Sequence, residues 1–264
     1  ITNYQPWNEA NLKTFYTGTP AQMAELTKRA HDIIKSIDPS ATIVAPSTGL
    51  RLNGALQRFY PKFLQELKAR NWPVDVWSAH TYPNSLGTTN DRRKLANTWI
   101  DLLKAAKAPN LPLWDTENNY GLGGPGPDFP EQDIKGTKAA SWTAVTYLDA
   151  VRLGVSRVYI YQWGPYNDLW GIQYKDGAPG AIAMNTLRKW IVGTTYKGCK
   201  EAKRKVTCKF RTSDGVNQIV YSETRKKKFT VAKRYKQMCQ LDGTCSAVPA
   251  NRKVRTKSPV LLKR

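Results

Sequence analysis

Two hydrophobic patterns divide the chain. Through residue 193, short apolar runs alternate with stretches in which apolar residues return every three or four positions, the signature of strands set between amphipathic helices. The strands read as a segment ending at Trp7, then Thr42 to Ala45, Val74 to Ala79, Leu111 to Thr116 and Arg157 to Trp163. The first helix has a marked start, with Thr19 as N-cap, Pro20 at the first helical position and Gln22 closing a capping box. Met23, Leu26, Ala30, Ile33, Ile34 and Ile37 then form one apolar face, which stops at Asp38-Pro39. Later helices carry Phe59, Phe63 and Leu67, then Leu95, Trp99, Leu102 and Leu103, then Trp142 through Val151, and finally Met184, Leu187 and Ile191. This alternation predicts an α/β fold with a parallel sheet, a partial (β/α)8 TIM barrel of about five strands. A full barrel takes about 250 residues, so strands before the first one are expected to lie outside this sequence or in another chain.

After Gly193 the pattern changes to alternating stretches at Val206 to Phe210, Asn217 to Ser222, Lys228 to Ala232 and Val254 to Leu262, with turn pairs Asp214-Gly215 and Asp242-Gly243 between some of them. Residues 194–264 are expected to form a small antiparallel, sandwich-like β-domain following a partial-barrel domain over residues 1–193. Charge follows the same division. The net charge of +21 splits into +16 for residues 194–264 and +5 for the rest. Such a basic segment raises the possibility of a polyanion partner, but no recognised nucleic-acid motif accompanies it. The run Arg225-Lys226-Lys227-Lys228 reads as a solvated hairpin end.

All four cysteines fall in this basic segment. They read most simply as two disulfides, Cys199 with Cys208 and Cys239 with Cys245, in an exported protein. Free thiols and a zinc site are the alternatives; against zinc, no Cys-x-x-Cys pair is present and His31 and His80 are remote in sequence. No apolar run approaches the roughly 18 residues of a membrane helix. The opening ITNYQPWNEA has neither the basic start nor the apolar run of a signal peptide, so the expected secreted location rests on the cysteines and on the family resemblance given below.

Parallel barrels display functional groups at the C-terminal ends of their strands. Trp7, Asn8 and Glu9 follow the first strand, His80 and Tyr82 the third, Glu117, Asn118 and Asn119 the fourth, and Gln162 and Trp163 the fifth. Glu9 and Glu117 stand three strands apart in order, so on a closed barrel their carboxyl groups face one another. Retaining glycoside hydrolysis needs two such groups about 5–5.5 Å apart. Trp99, Trp142 and Trp190 sit at helical spacing and are expected in the core, whereas Trp170, in a loop, is a candidate subsite residue. The glycine-rich loop from Gly121 to Gly126 lacks a following Lys-Ser/Thr, so it reads as a rim of the cleft, not a phosphate cradle.

Trp7-Asn8-Glu9-Ala10-Asn11 is similar to the Trp-Asn-Glu-Pro-Asn segment that ends strand four in clan A glycoside hydrolases, with Ala10 in place of proline. Trp114 to Gly121 resembles the nucleophile segment of strand seven, Ser78 to Pro83 the end of strand six, and Tyr161-Gln162-Trp163 the end of strand eight. The order and the following β-domain resemble family 39 and its relatives, with strands one to three absent. The resemblance implies Glu9 as acid/base, Glu117 as nucleophile and Asn8 on the sugar 2-hydroxyl. It further implies His80 and Tyr82 beside the nucleophile and Trp163 as sugar platform; by their strand-end and loop positions, Trp7, Asn118 and Trp170 complete the expected substrate-binding set. The expected function is hydrolysis of a β-linked oligo- or polysaccharide by double displacement, with no metal or organic cofactor. An anionic polysaccharide or cell wall is a further partner for the basic segment. The alternatives from other classes are an inactive truncated barrel that binds carbohydrate or acts as a scaffold, and a basic polyanion-binding protein.

Overall fold

The computed structural model describes residues 1–124, 126–164 and 171–264. They form two compact units, one of Ile1–Glu131 with Leu153–Tyr161 and one of Gln132–Arg152 with Gln162–Arg264. In chain order the first elements are β1 (Asn3–Tyr4), α1 (Pro20–Ile37), β2 (Thr42–Ile43), α2 (Asn53–Ala69), β3 (Trp77–His80), α3 (Thr89–Ala105) and β4 (Leu113–Asn118). They continue with β5 (Asp133–Ile134), α4 (Gly136–Leu153), β6 (Val155–Ile160), β7 (Gly171–Ile172) and α5 (Pro179–Ile191).

In the first unit β1 pairs with β2, and β3 pairs with β4 and β4 with β6, all parallel. Single parallel bridges from Val44 to Val76 and from Gly49 to His80 join the two groups. Each of the five expected strands is present, with ends displaced by up to three residues. The α1 start is as read from sequence: Gln22 N donates to Thr19 Oγ1 at 3.2 Å and Thr19 N to Gln22 Oε1 at 2.8 Å. The apolar face of α1 is only partly used. Met23, Ala24 and Thr27 are buried where α1 packs on α2. The Leu26–Ile33–Ile37 flank is 43, 61 and 80 % exposed, so apolar periodicity marked the helix but not how far its face is covered. The core behind the sheet comprises Met23, Leu56, Tyr60, Phe63, Leu67, Trp77, Trp99 and Leu103 among others. Trp99 donates its indole N–H to Tyr60 Oη at 2.9 Å, which satisfies two polar groups that would otherwise be stranded in that core.

The second unit continues with β8 (Thr195–Ala202), β9 (Lys205–Thr212), β10 (Gly215–Ser222), β11 (Lys227–Thr230), β12 (Gln237–Cys239), β13 (Cys245–Ala247), β14 (Lys253–Thr256) and β15 (Val260–Lys263). Six of these make a sheet in the order β13-β12-β15-β10-β9-β8, with every pairing antiparallel, and β11 pairs with β14. Strand alternation sorts the faces cleanly. On one face Val206, Cys208, Phe210, Ile219 and Tyr221 pack with Ala144, Val145 and Leu148 of α4 and Leu187 and Trp190 of α5. On the other, Val220, Val260 and Leu262 pack with Phe229, Val231, Tyr235, Val248 and Val254. The tight β8–β9 turn places Lys203 and Arg204 at φ 51° and 63°, as a two-residue hairpin turn of this hand requires. The two expected disulfides are present, Cys199–Cys208 joining β8 to β9 and Cys239–Cys245 joining β12 to β13. Arg152 near the end of α4 gathers acidic partners, with Asp149 at 3.0 Å, Glu201 at 2.8 Å and Glu223 at 3.7 Å. Among the described residues no helix is long and apolar enough to cross a membrane.

Candidate active site

Glu9 lies in the segment after β1 and is held by the segment after β2. Its N–H donates to Ser47 Oγ at 2.9 Å, and Ala10 N donates to Ser47 O at 3.0 Å. The Asn11 amide imitates a strand partner for Gly49: its Nδ2 donates to Gly49 O and Gly49 N donates to its Oδ1, both at 2.8 Å. Glu9 has φ 40°, in the left-handed region that a non-glycine residue enters only where its surroundings fix it. Gly49 permits the close approach, because a Cβ there would stand 2.8 Å from Glu9 Oε1.

Glu117 reaches the same place through an irregularity in β4. Trp77 pairs with Leu113, Ser78 with Trp114 and Ala79 with Asp115, but His80 pairs with Glu117, so Thr116 is an extra residue on β4. In a regular strand Asp115 and Glu117 would share a face. The bulge separates them, as bulges near active sites re-aim side chains. Asp115 turns toward α3, where it pairs with Arg92 and accepts from Thr81 N at 3.2 Å and Thr81 Oγ1 at 2.5 Å. Glu117 turns toward His80 instead.

The result is a three-residue cluster. His80 Nδ1 stands 2.8 Å from Glu117 Oε2 and 3.1 Å from Glu9 Oε1, and His80 itself is only 2 % exposed. Both neighbours are carboxyl oxygens able to accept, so the shared nitrogen carries the proton and donates to them. Burial alone would lower the imidazole pKa, but hydrogen bonds and charge from Glu117 and Glu9 outweigh it and raise it to about 9. Burial, followed by the same two charges, pushes the Tyr82 phenol far above its ordinary value, so Tyr82 is a neutral hydroxyl at any physiological pH. Donor atoms of Glu9, His80 and Glu117 all lie within 4.8 Å of one another, which makes them the candidate set for a cation among the described residues. A cation there would have to displace the proton that His80 holds.

The cluster opens on a cavity of about 110 Å³ that Leu12, Arg51, Tyr82 and Leu122 also line. Arg51 gave no signal in the sequence, since it lies well past the end of β2. Its Nη1 donates to the carbonyls of Leu122, Gly123 and Gly124 at 3.2, 3.0 and 3.4 Å, which fastens the glycine-rich rim over the cavity.

Not every candidate joins the cluster. Asn8 is exposed and touches Ser47 Oγ at 3.5 Å through its Oδ1. Trp7 donates its indole N–H to Phe15 O at 3.1 Å and packs edge-on against Tyr16, outside the residues that line the cavity. Asn118 is buried, and its Nδ2 donates to Tyr159 O at 2.9 Å across to β6. Trp163 belongs to the second unit, where it is 50 % exposed and bridges to Tyr174. Trp170 lies outside the described residues.

The His80 proton can be observed directly, because the chain has only two histidines. A folded-state pKa of about 9 above an unfolded value near 6.5 means that the imidazolium stabilises the folded chain fully below about pH 6.5, and that this stability is lost as pH rises through 9. Ring ¹⁵N chemical shifts followed from pH 5 to 10.5, with a His80→Gln variant to identify the signal, are expected to give a midpoint near 9. A midpoint at or below 6.5 would contradict this geometry.

No family model matches the sequence, and no curated protein sequence matches it either. Solved structures do match. A family 39 glycoside hydrolase from the gut symbiont Bacteroides cellulosilyticus WH2 covers 100% of the chain at a TM-score of 0.70 and 16% identity, and the chain spans 58% of it. A family 39 β-xylosidase from Caulobacter crescentus covers 98% of the chain at TM-score 0.59 and 18% identity, with 66% of that protein spanned. A family 44 endoglucanase from Clostridium acetobutylium ATCC 824 covers 100% at TM-score 0.60 and 14% identity, again with 66% spanned. At these identities the likeness is one of fold: the chain is a mixed α/β protein that shares the fold of family 39 and family 44 glycoside hydrolases over part of their length.

Proposed function

We propose that this chain carries the active site of a retaining glycoside hydrolase acting on a β-linked glycan. Glu117 is the nucleophile and Glu9 the acid/base. The observation that carries the reading is the placement of both carboxylates on one histidine nitrogen, with donor atoms no more than 4.8 Å apart. Retaining enzymes hold their two carboxyl groups about 5–5.5 Å apart, whereas inverting enzymes need about 6.5–9.5 Å to admit a water. Glu117, as the carboxylate, attacks the anomeric carbon while Glu9, entering the step as the carboxylic acid, gives its proton to the departing oxygen. Water, deprotonated by Glu9, then releases the sugar from Glu117. His80 holds both carboxyl groups in register and its positive charge offsets that of the Glu117 carboxylate, and Tyr82 supplies a neutral hydroxyl at the cavity wall.

The exposed Leu26–Ile33–Ile37 flank of α1 and the 58% span of the family 39 structure support reading the five parallel strands as strands four to eight of a (β/α)8 barrel. Residues 194–264 are then the appended β-domain, and its two disulfides favour an extracellular setting. The same uncovered flank favours one second reading, a carbohydrate-binding chain without turnover. Proton NMR of the first product released from aryl β-glycosides separates the two. Release with retained anomeric configuration supports the hydrolase. Inversion rejects the double displacement, and binding without turnover by folded protein establishes the second reading.

A further inference from the structure

Eight of the basic residues of the second unit line two concavities on one part of its surface. Strand alternation turns Val206, Cys208 and Phe210 of β9 into the core and leaves Lys205, Thr207, Lys209 and Arg211 on the opposite face. Across the β8–β9 pairing, Lys200 stands opposite Thr207 and Ala202 opposite Lys205. Two concavities lie along this part of the sheet. One, of about 420 Å³, is lined by Lys197, Lys200, Lys205 and Lys209 together with Thr207 and Phe229. The other, of about 510 Å³, lies where the β8–β9 and β10–β11 turns meet, and Lys203, Arg204, Arg225 and Lys227 line it with Thr224. The eight cationic side chains have no acidic residue among them in either lining. None of the eight forms an ion pair among the described residues, and the acidic groups that could have neutralised them, Glu201 and Glu223, are both drawn to Arg152.

Like charges held this closely repel one another, and a fold that keeps them unpaired gains from an external polyanion that takes up the field. On β9, Lys205 and Lys209 are two pleats apart, roughly 13 Å, with Lys200 one strand away at about 4.8 Å sideways, so the charges form a strip and not a point. A strip suits an extended polymer carrying repeated anionic groups. The chemistry of the linings separates the classes of polymer. Single-stranded nucleic acids bound without sequence preference are held by aromatic platforms for their bases. Here the sole ring in either lining, Phe229, is 6 % exposed and has Lys205 Nζ over it at 5.5 Å. Cys199–Cys208 joins the two strands that carry the strip, and disulfides favour an oxidising setting outside the cytosol, where an acidic polysaccharide is a more accessible polyanion than nucleic acid.

We propose that the β8–β9 face and its adjoining turns are a binding site for an acidic polysaccharide, read through carboxylate or sulfate groups. The site is independent of the glutamate pair, and it is tested by binding alone, so its result stands whether or not the chain hydrolyses glycosides. The probe is polygalacturonate, titrated into the full chain at several salt concentrations, with a neutral xylan and double-stranded DNA of matched charge concentration in parallel. Two triple variants are compared: Lys200→Gln with Lys205→Gln and Lys209→Gln, and Lys13→Gln with Lys62→Gln and Lys104→Gln, which remove the same charge.

Polygalacturonate is expected to bind in a salt-dependent manner while xylan does not bind at this face. The first triple variant should weaken affinity at least tenfold and flatten the dependence of log K on log salt by about 2, as expected when three ionic contacts are removed. The second should change affinity less than threefold. Equal losses from both triples would show that net charge and not this face is responsible, and would overturn the proposal. Absence of polygalacturonate binding at low salt, or tighter binding to DNA, would also overturn it.

Discussion

Alanine at position 117 is expected to lower kcat/KM on an activated aryl β-glycoside by a factor on the order of 10⁴ or more, in a chain that still folds but is less stable, because His80 loses one of its two carboxyl partners. On the proposed mechanism this change leaves binding and the proton donor in place but takes away the group that forms the covalent intermediate, and such losses dwarf those of neighbouring residues. Glu117 is 25 % exposed at its side chain and makes no core contact that alanine would empty. The mechanism also fixes what should restore the reaction. The gap left by the carboxylate admits a small anion such as azide, which attacks from the same side and leaves a glycosyl azide of inverted configuration. Glu9→Ala should behave differently: the glycosylation step survives for substrates with good leaving groups, while release of the sugar slows. An unchanged rate in Glu117→Ala, or azide rescue with retained configuration, would remove Glu117 from the role assigned to it.

The second large effect lies behind the site. Arg92→Leu is expected to destabilise the folded chain by about 3–5 kcal/mol, because it leaves Asp115 buried without its cationic partner. Arg92 and Asp115 are 1 and 0 % exposed. Burial pushes the Asp115 carboxyl up, and Arg92 with the two donors of Thr81 pulls against that push. A double replacement, Arg92→Met with Asp115→Asn, should recover much of the loss, because the amide oxygen still accepts from Thr81 and no buried charge remains. The pair matters for the chemistry because of where its members sit. Thr81 follows His80, and Asp115 is the last regular residue before the bulge that swings Glu117 into the cleft. Urea unfolding of the three variants measures the effect. A single-variant loss below about 1 kcal/mol would mean that the pair is not what anchors the ends of β3 and β4.

Much of this architecture was legible in the chain because its signals are local. The Thr19–Pro20–Gln22 start of α1 depends on three neighbouring residues, and strand alternation in β9 depends only on period. Glu9, His80, Tyr82 and Glu117 could be picked out because polar groups directly after apolar strands mark the functional end of a parallel sheet, and the structure brings all four to one cavity. What was missed depends on pairing between distant residues. The bulge at Thr116 is a mismatch between β3 and β4, so nothing within either strand announces it. Arg92 looks like an ordinary polar residue in the first turns of a helix until α3 is laid against Asp115. Asn118 and Trp7 occupy strand-end positions, and the hydrogen bonds from Asn118 Nδ2 to Tyr159 O and from Trp7 Nε1 to Phe15 O are not announced by any local pattern. The exposed flank of α1 shows the same limit: periodicity reveals an apolar face, and only the neighbours decide whether it is covered.

The most direct test of the central claim is to trap the intermediate on the enzyme. The folded chain is incubated with a 2-deoxy-2-fluoro aryl β-glycoside, whose glycosyl-enzyme forms faster than it hydrolyses, and is then digested for peptide mass spectrometry. A single fluorosugar on the peptide containing Glu117, absent in Glu117→Ala, is the expected result. An adduct on Glu9, or release of the aryl group with inverted product and no adduct anywhere, would contradict the account.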